Sequence, residues 1–259
     1  MMNKKTIVLK IGGKFTTEKD LLNFFIEDLA ELKAEYQIVL IHGGGKEVTQ
    51  LTEKILEQKP VFKNGLRQTS PAEMDVVEMV LSGLVNKRLV RLFQSKGLNP
   101  VGLCGADGRL FLSQSLDNPA NQRTGKIIAV KPILLKLLLA NEFLPILSST
   151  STDHEGNGLN INADEAALEV AVALKARDLI FISDIPGVLK DGAPIPLLTQ
   201  SQAFQEIQTG VIGEGMIPKV ESSLDALKRG VERVIIGEYK KRGDLKALLK
   251  AKLGTTISL

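Results

Sequence analysis
Short runs of Leu and β-branched residues alternate along the chain with longer stretches in which apolar residues recur every three or four positions. The short runs have the length of buried strands and the longer ones carry a helical period, which predicts an α/β protein with a largely parallel sheet. Residues 6–10 read as a strand, and residues 18–35 as a helix with Leu21, Leu22, Phe25, Leu29 and Leu32 on one face. A second strand, 38–41, runs into Gly43-Gly44-Gly45 and a helix to about residue 58. Residues 71–96 form one long amphipathic pattern, followed by a strand at 100–104 and hairpin strands between 109 and 130. Residues 132–141 read as a helix, 144–147 as a strand, 149–158 as irregular, and 162–175 as an Ala-rich helix. The remainder repeats the alternation: strands at 179–182, 233–236 and 255–259, helices near 201–208, 219–228 and 244–252. No linker divides the chain, and the expected boundary lies near 177, giving lobes 1–177 and 178–259.

Two glycine clusters, Gly12-Gly13 and Gly43-Gly44-Gly45, each stand between a predicted strand and a helix. Glycine lets the backbone approach a ligand closely, and a following helix points free N–H groups and a positive dipole end at it. In open α/β sheets, ligands gather at the carboxyl ends of strands. The pair of loops therefore reads as an anion site. It is neither common nucleotide fingerprint: no GxxxxGK[ST] occurs, and Val48 stands where the third glycine of GxGxxG belongs.

Charged and amide residues sit beside these turns. Lys10 ends an apolar strand immediately before the first glycine pair, and Lys219 follows the glycine-rich turn 213–218 at a helix start. A lysine at a positive dipole end is unfavourable unless an anion is present. Arg67, in Asn64-Gly65-Leu66-Arg67, offers a fork suited to a carboxylate. Asn160, Asn162 and Asp164 lie at a strand-to-helix junction, where Asn162 is equally suited to cap the helix.

Composition narrows the function classes. Apolar residues make up 44% and charged residues 24% of the 259 residues, ordinary values for a globular protein. A net charge of +3, no dense basic tract and 4% aromatics argue against a nucleic-acid partner. No apolar run reaches the ~18 residues of a membrane span. Lys10 interrupts the first apolar run too early for a secretory signal. Cys104 is the sole cysteine, so an intrachain disulfide and a multi-cysteine metal site are excluded, and a reducing cytoplasmic location is expected.

Together, KIGG at 10–13, HGGG at 42–45, NGLR at 64–67, VNK at 85–87, VGLCGADG at 101–108, NINAD at 160–164, SDIPGVL at 183–189 and GEGMIPK at 213–219 resemble the amino acid kinase family over essentially the whole chain. The resemblance implies a three-layer αβα sandwich with a central, mainly parallel sheet. Its N-terminal lobe would hold an amino-acid substrate and its C-terminal lobe ATP, with Mg²⁺ held mainly by the ATP phosphates and no protein metal cage. NGLR and NINAD point to the branch that phosphorylates the side-chain carboxylate of N-acetyl-L-glutamate. N-succinylglutamate, a carrier-linked aminoadipate and a non-catalytic nucleotide binder are the alternatives.

Carried over by motif, Lys10, Lys219 and Asp164 are the catalytic residues, the lysines bracketing the transferred phosphoryl group and Asp164 holding them. Gly44, Gly45, Arg67, Asn160 and Asn162 bind substrate. Gly12, Gly13, Ser183, Asp184, Gly187, Leu189, Gly213, Gly215 and Met216 line the nucleotide. Two stretches depart from the family pattern, the basic run 123–126 and the polar run 149–158, and both bear on the substrate pocket. Arginine-inhibited members carry an extra N-terminal helix that interlaces dimers. Only five residues precede the first predicted strand here, so the expectation is a homodimer, joined through 71–96, that arginine does not inhibit.

Overall fold
A computed structural model describes residues 4–12, 15, 18–117, 120–213 and 216–259. Gly13 and Gly215, both expected at the nucleotide, lie outside the described residues. Strand β1 (Lys5–Ile11) is followed by helix α1 (Lys19–Leu32) and strand β2 (Tyr36–His42). Ile7, Val8, Leu9 and Ile11 are all buried. Burial on both faces of β1 is why its apolar run is continuous rather than alternating. Helix α1 buries Leu22, Phe25, Ile26, Leu29 and Leu32, the stripe its period predicts. Helix α2 (Gly45–Leu56) leaves directly from the glycine triplet.

The segment 64–67, which carries Arg67, belongs to a hairpin. Strands β3 (Val61–Lys63) and β4 (Leu66–Gln68) pair antiparallel around Asn64-Gly65. Their φ values of 51° and 75° are the left-handed pair a two-residue hairpin turn requires. The long amphipathic pattern forms α3 (Pro71–Glu78), a π-helical stretch (Met79–Val85) and α4 (Asn86–Ser95) without interruption. Ser70 starts it with a capping box: its side chain accepts from Glu73 N, and the Glu73 carboxylate accepts from Ser70 N.

Strands β5 (Pro100–Leu103), β6 (Phe111–Ser115) and β7 (Thr124–Val130) lead to α5 (Ile133–Ala140) and β8 (Leu144–Ser148). The polar run 149–158 is ordered into β9 (Thr150–Thr152) and the start of β10 (Gly158–Ile161), which pair antiparallel. Its turn is held by Asp153, whose carboxylate accepts from the backbone N–H groups of Glu155 and Asn157. The local period could not show this, because the stabilising bonds come from one side chain folding back on its own turn. Helix α6 (Ala163–Leu174) and β11 (Asp178–Ser183) follow. The chain continues through β12 (Leu189–Lys190), β13 (Ala193–Pro194), β14 (Leu197–Thr199), α7 (Gln200–Gln208), α8 (Ile217–Lys228), β15 (Arg233–Glu238), α9 (Asp244–Leu249) and β16 (Thr255–Ser258).

Eight strands make one sheet in the order β14-β16-β15-β11-β1-β2-β8-β5, the mainly parallel α/β arrangement the pattern predicts. Within it β15 and β16 pair antiparallel, while β1–β11, β11–β15, β14–β16, β2–β8 and β5–β8 pair parallel. A second sheet has the order β6-β7-β10-β9. By contacts the chain divides into two compact units: Met1–Val39 with Val170–Leu259, and Leu40–Glu169. The N-terminal stretch thus groups with the C-terminal one, unlike the sequence division at 177. The physical reason is the β1–β11 ladder, which sets Ile7 to Lys10 against Asp178 to Phe181. Among the described residues no helix is long and apolar enough to cross a membrane.

Candidate active site
In the first unit, Lys10 and Lys219 both neighbour Phe181, one through the strand ladder and the other over the ring. Lys10 is the register partner of Phe181 on β11, and partners in a parallel ladder project to the same side of the sheet. The Lys219 ammonium lies 4.7 Å from the Phe181 ring centroid, within cation–π range. Phe181 is fully buried, so it is a fixed platform. Lys219 is the third residue of α8, six residues after Gly213, whose carbonyl accepts from Met216 N and Ile217 N. The Lys10 Nζ lies 3.9 Å from where a Cβ on Gly12 would sit.

Ser183 ends β11, with Asp184 exposed just beyond it. Gly187 has a packing reason of its own: a Cβ there would lie 2.6 Å from Thr255 Oγ1. That hydroxyl accepts from Val188 N at 2.8 Å. Leu189 pairs with Pro194 across the β12–β13 hairpin.

In the second unit, the glycine triplet is shaped from beneath. A Cβ on Gly44 would meet Leu81 Cδ2 at 2.8 Å and Val85 Cγ2 at 3.3 Å, both from the π-helical stretch. At Gly45 the same construction meets nothing within 4 Å. Gly44 is thus required by packing, while Gly45 faces open space. His42, at the end of β2, is fully buried; its Nδ1 lies 2.9 Å from Gly43 O and its Nε2 3.0 Å from Asn86 Nδ2. Asn86 Nδ2 also donates to Ile146 O at 2.9 Å. Burial holds the His42 pKa down at about 4, so the ring is neutral at pH 7. Nε2 accepts from Asn86, which leaves the proton on Nδ1 to donate to Gly43.

Arg67 is buried beneath this loop. Its Nη2 donates to Gly45 O at 3.2 Å and to Thr49 Oγ1, and its guanidinium stacks on Phe62, 5.0 Å from the ring centroid. Nη1 is buried with no hydrogen-bond partner among the described residues. Burial lowers the Arg67 pKa, opposed by the charge of Glu73. Asn160 Nδ2 donates to Thr69 Oγ1 at 2.9 Å. Asn162 takes the capping role: its Oδ1 accepts from Asp164 N at 2.8 Å and Glu165 N at 3.4 Å. Asp164 stands half-buried in the first turn of α6. That turn is tied to β7 by Glu165, which accepts from Ile127 N at 2.7 Å and whose pKa is raised by burial.

Lys10, Lys219, Gly12, Ser183 and Met216 lie in one unit; Gly44, Gly45, Arg67, Asn160 and Asp164 lie in the other. His42, Asn86 and Thr69 were not legible as site residues. His42 and Asn86 fall within the HGGG and VNK motifs, and the structure brings them into hydrogen-bonding contact; Thr69 lies in none of the quoted motifs. Residues 5–238 match the model of the amino acid kinase family.

The chain belongs to the amino acid kinase family. An acetylglutamate kinase of Bacillus pumilus (strain SAFR-032) is 39% identical over 233 residues, covering 90% of this chain and 89% of that protein. One of Prochlorococcus marinus (strain NATL1A) is 40% identical over 260 residues, covering 98% and 85%. Among solved structures, smu.665 from Streptococcus mutans UA159 superposes with a TM-score of 0.83 at 33% identity and 98% coverage of both chains. N-acetylglutamate synthase from Neisseria gonorrhoeae, complexed with coenzyme A and N-acetyl-glutamate, gives a TM-score of 0.85. It is 22% identical, covering 98% of this chain and 59% of that one, and so speaks to the fold alone.

Proposed function
We propose that the chain transfers the γ-phosphoryl group of ATP to the side-chain carboxylate of N-acetyl-L-glutamate, giving N-acetylglutamyl 5-phosphate in arginine biosynthesis. The observation that carries this reading is Arg67. A buried guanidinium with one nitrogen unpaired is costly, and a ligand carboxylate would offset that cost with a charge-assisted bond. Asn160, joined to the same strand through Thr69, supports an amide-bearing ligand. The relatives of about 40% identity support the acetylated substrate.

The chemistry asks for little proton transfer. The nucleophilic carboxylate has a pKa of roughly 4.3 and is already ionised at pH 7, so no general base is required. An anion must instead approach a polyanion, and positioning with electrostatic stabilisation supplies the rate. Lys10 and Lys219 take the phosphoryl charge, Asp164 belongs to the same catalytic set, and the N–H groups about Gly12, Gly44 and Gly45 serve as donors. Ser183, Asp184, Gly187, Leu189, Gly213 and Met216 face the nucleotide. Among the described residues no group of three or more His, Cys, Asp or Glu could hold a metal. In this reading a magnesium ion would arrive on ATP and neutralise its phosphates.

A cytoplasmic homodimer joined through 71–96 is part of the proposal, supported by Met79 and Leu84, 53% and 48% exposed on that helical stretch. The test of function is ATP-dependent acyl-phosphate formation, trapped with hydroxylamine, across acetylglutamate, succinylglutamate, glutamate, aspartate and aminoadipate derivatives. Acetylglutamate is expected to be turned over with the highest kcat/KM. A preference for any of the others would overturn the substrate, and no turnover of any would overturn the kinase reading.

A further inference from the structure
The hydroxyl of Thr69 links the two residues assigned to opposite ends of the substrate. Thr69 is fully buried. Its Oγ1 lies 3.3 Å from Arg67 O, to which it donates, and accepts from Asn160 Nδ2 at 2.9 Å. Thr124 supports it from β7: Thr124 Oγ1 donates to Arg67 O at 2.7 Å and accepts from Thr69 N at 3.0 Å. The backbone completes the clamp, with Arg123 N donating to Thr69 O and Asn160 N to Arg123 O, each at 2.7 Å. The Arg67 carbonyl is available because of hairpin register. Lys63 and Leu66 flank the two-residue turn and form the hydrogen-bonded pair, so the next pair, Phe62 and Arg67, points its backbone groups away from the ladder.

Hydrogen accounting then decides the orientation of Asn160. A threonine hydroxyl has one hydrogen. At Thr69 it points to Arg67 O, and the oxygen accepts from Asn160 Nδ2. Asn160 thus presents its NH₂ to Thr69, and its planar amide carries Oδ1 on the other side. Asn160 itself is half-buried, not sealed.

We infer that Thr69 is a specificity-determining positioning residue. By fixing the amide of Asn160 it makes Oδ1 a dedicated acceptor, so the site demands an N–H on the ligand. This rests on the proposed reading of the substrate and deepens it. The secondary amide of an N-acylated amino acid supplies that N–H. An ester at the same position supplies only acceptor oxygens, which would face the Asn160 oxygen without a hydrogen between them. A site built around a ligand hydrogen rejects the analogue lacking it far more strongly than a merely apolar pocket does.

The test compares N-acetyl-L-glutamate with its ester isostere, 2-acetoxyglutarate, in the wild type, Thr69→Val and Thr69→Ser. The wild type is expected to favour the amide by at least about 10²-fold in kcat/KM. In Thr69→Val the Asn160 amide is released to turn over. The preference is expected to collapse to within about tenfold, mainly through KM for the amide, with kcat and the KM for ATP unmoved. Thr69→Ser retains the hydroxyl and the preference. A purely structural role would lower stability in both variants and leave the amide-to-ester ratio alone. Equal use of both compounds by the wild type, an unchanged ratio in Thr69→Val, or an equal collapse in Thr69→Ser would overturn the inference. Should Thr69→Val not fold, Thr69→Ala decides in its place, since it too removes the hydroxyl while Asn160 keeps its amide. A collapsed amide preference in that variant supports the inference, and an unchanged ratio overturns it. A wild type that turns over neither compound removes the substrate reading and this inference with it, whereas turnover of acetylglutamate without the ratio change removes the inference alone.

Discussion

Lowering the pH from 7 to 5 should destabilise the protein through His42. The ring is fully buried between Gly43 O and the Asn86 amide, and its pKa falls from 6.5 to about 4, chiefly by desolvation. Lys87 and Arg88 add a smaller effect in the same direction, and Glu47 opposes it. The folded state resists protonation while the unfolded chain accepts it. Stability is therefore full above pH 6.5 and declines as pH falls from 6.5 toward 4. For a shift of this size the loss is about 2 kcal/mol between pH 7 and 5, and about 3 kcal/mol by pH 4. His42→Gln cannot titrate. It should be less stable than wild type at pH 7 by about 1 kcal/mol, the worth of a hydrogen bond, yet lose less on acidification. Urea denaturation at pH 7, 6 and 5 for both proteins measures the difference, and subtraction removes carboxyls such as Glu78 and Glu165, whose raised values act oppositely. A His42→Gln curve that falls with pH as steeply as the wild type would falsify the assignment of a buried neutral His42.

Lys10→Ala and Lys219→Ala should each lower kcat by ~10²–10³ with little change in either KM, as expected for donors aimed at transition-state charge. Steady-state kinetics near wild-type turnover would exclude that role. Arg67→Lys keeps the charge but loses the fork, and should raise the KM for acetylglutamate while leaving the KM for ATP alone; equal effects on both would make Arg67 structural. Gly44→Ala should cost about 1–3 kcal/mol by overpacking, because its Cβ would come within 2.8 Å of Leu81. Gly45→Ala, with nothing within 4 Å, should keep its melting temperature but lose turnover, and a thermal melt beside an activity assay separates the two. Sedimentation tests the dimer: Met79→Glu with Leu84→Glu should give a monomer, and an unchanged species would place the contact elsewhere.

The sequence by itself determined the elements and the chemistry. Apolar period is a local property, so β1, α1, β2 and the long amphipathic stretch 71–96 could be read from it, though not its π-helical part Met79–Val85. Glycine at strand-to-helix junctions marked where the sequence leads one to expect an anion close to the backbone. Lys10 and Lys219 drew the same expectation from their places beside such turns, and Arg67 from its fork beside Asn64-Gly65.

Tertiary structure decided what depends on pairs distant along the chain. It separated Gly44, crowded by Leu81 and Val85, from Gly45, which faces open space. It gave Asn162 to the cap of α6 and Asn160 to Thr69, ninety-one residues away. It buried His42 against Asn86 and so fixed its charge. It also grouped the first strand with the C-terminal unit through the β1–β11 ladder. Burial and hydrogen-bond saturation are set by which atoms meet after the chain folds back on itself, and a one-dimensional pattern carries no record of that.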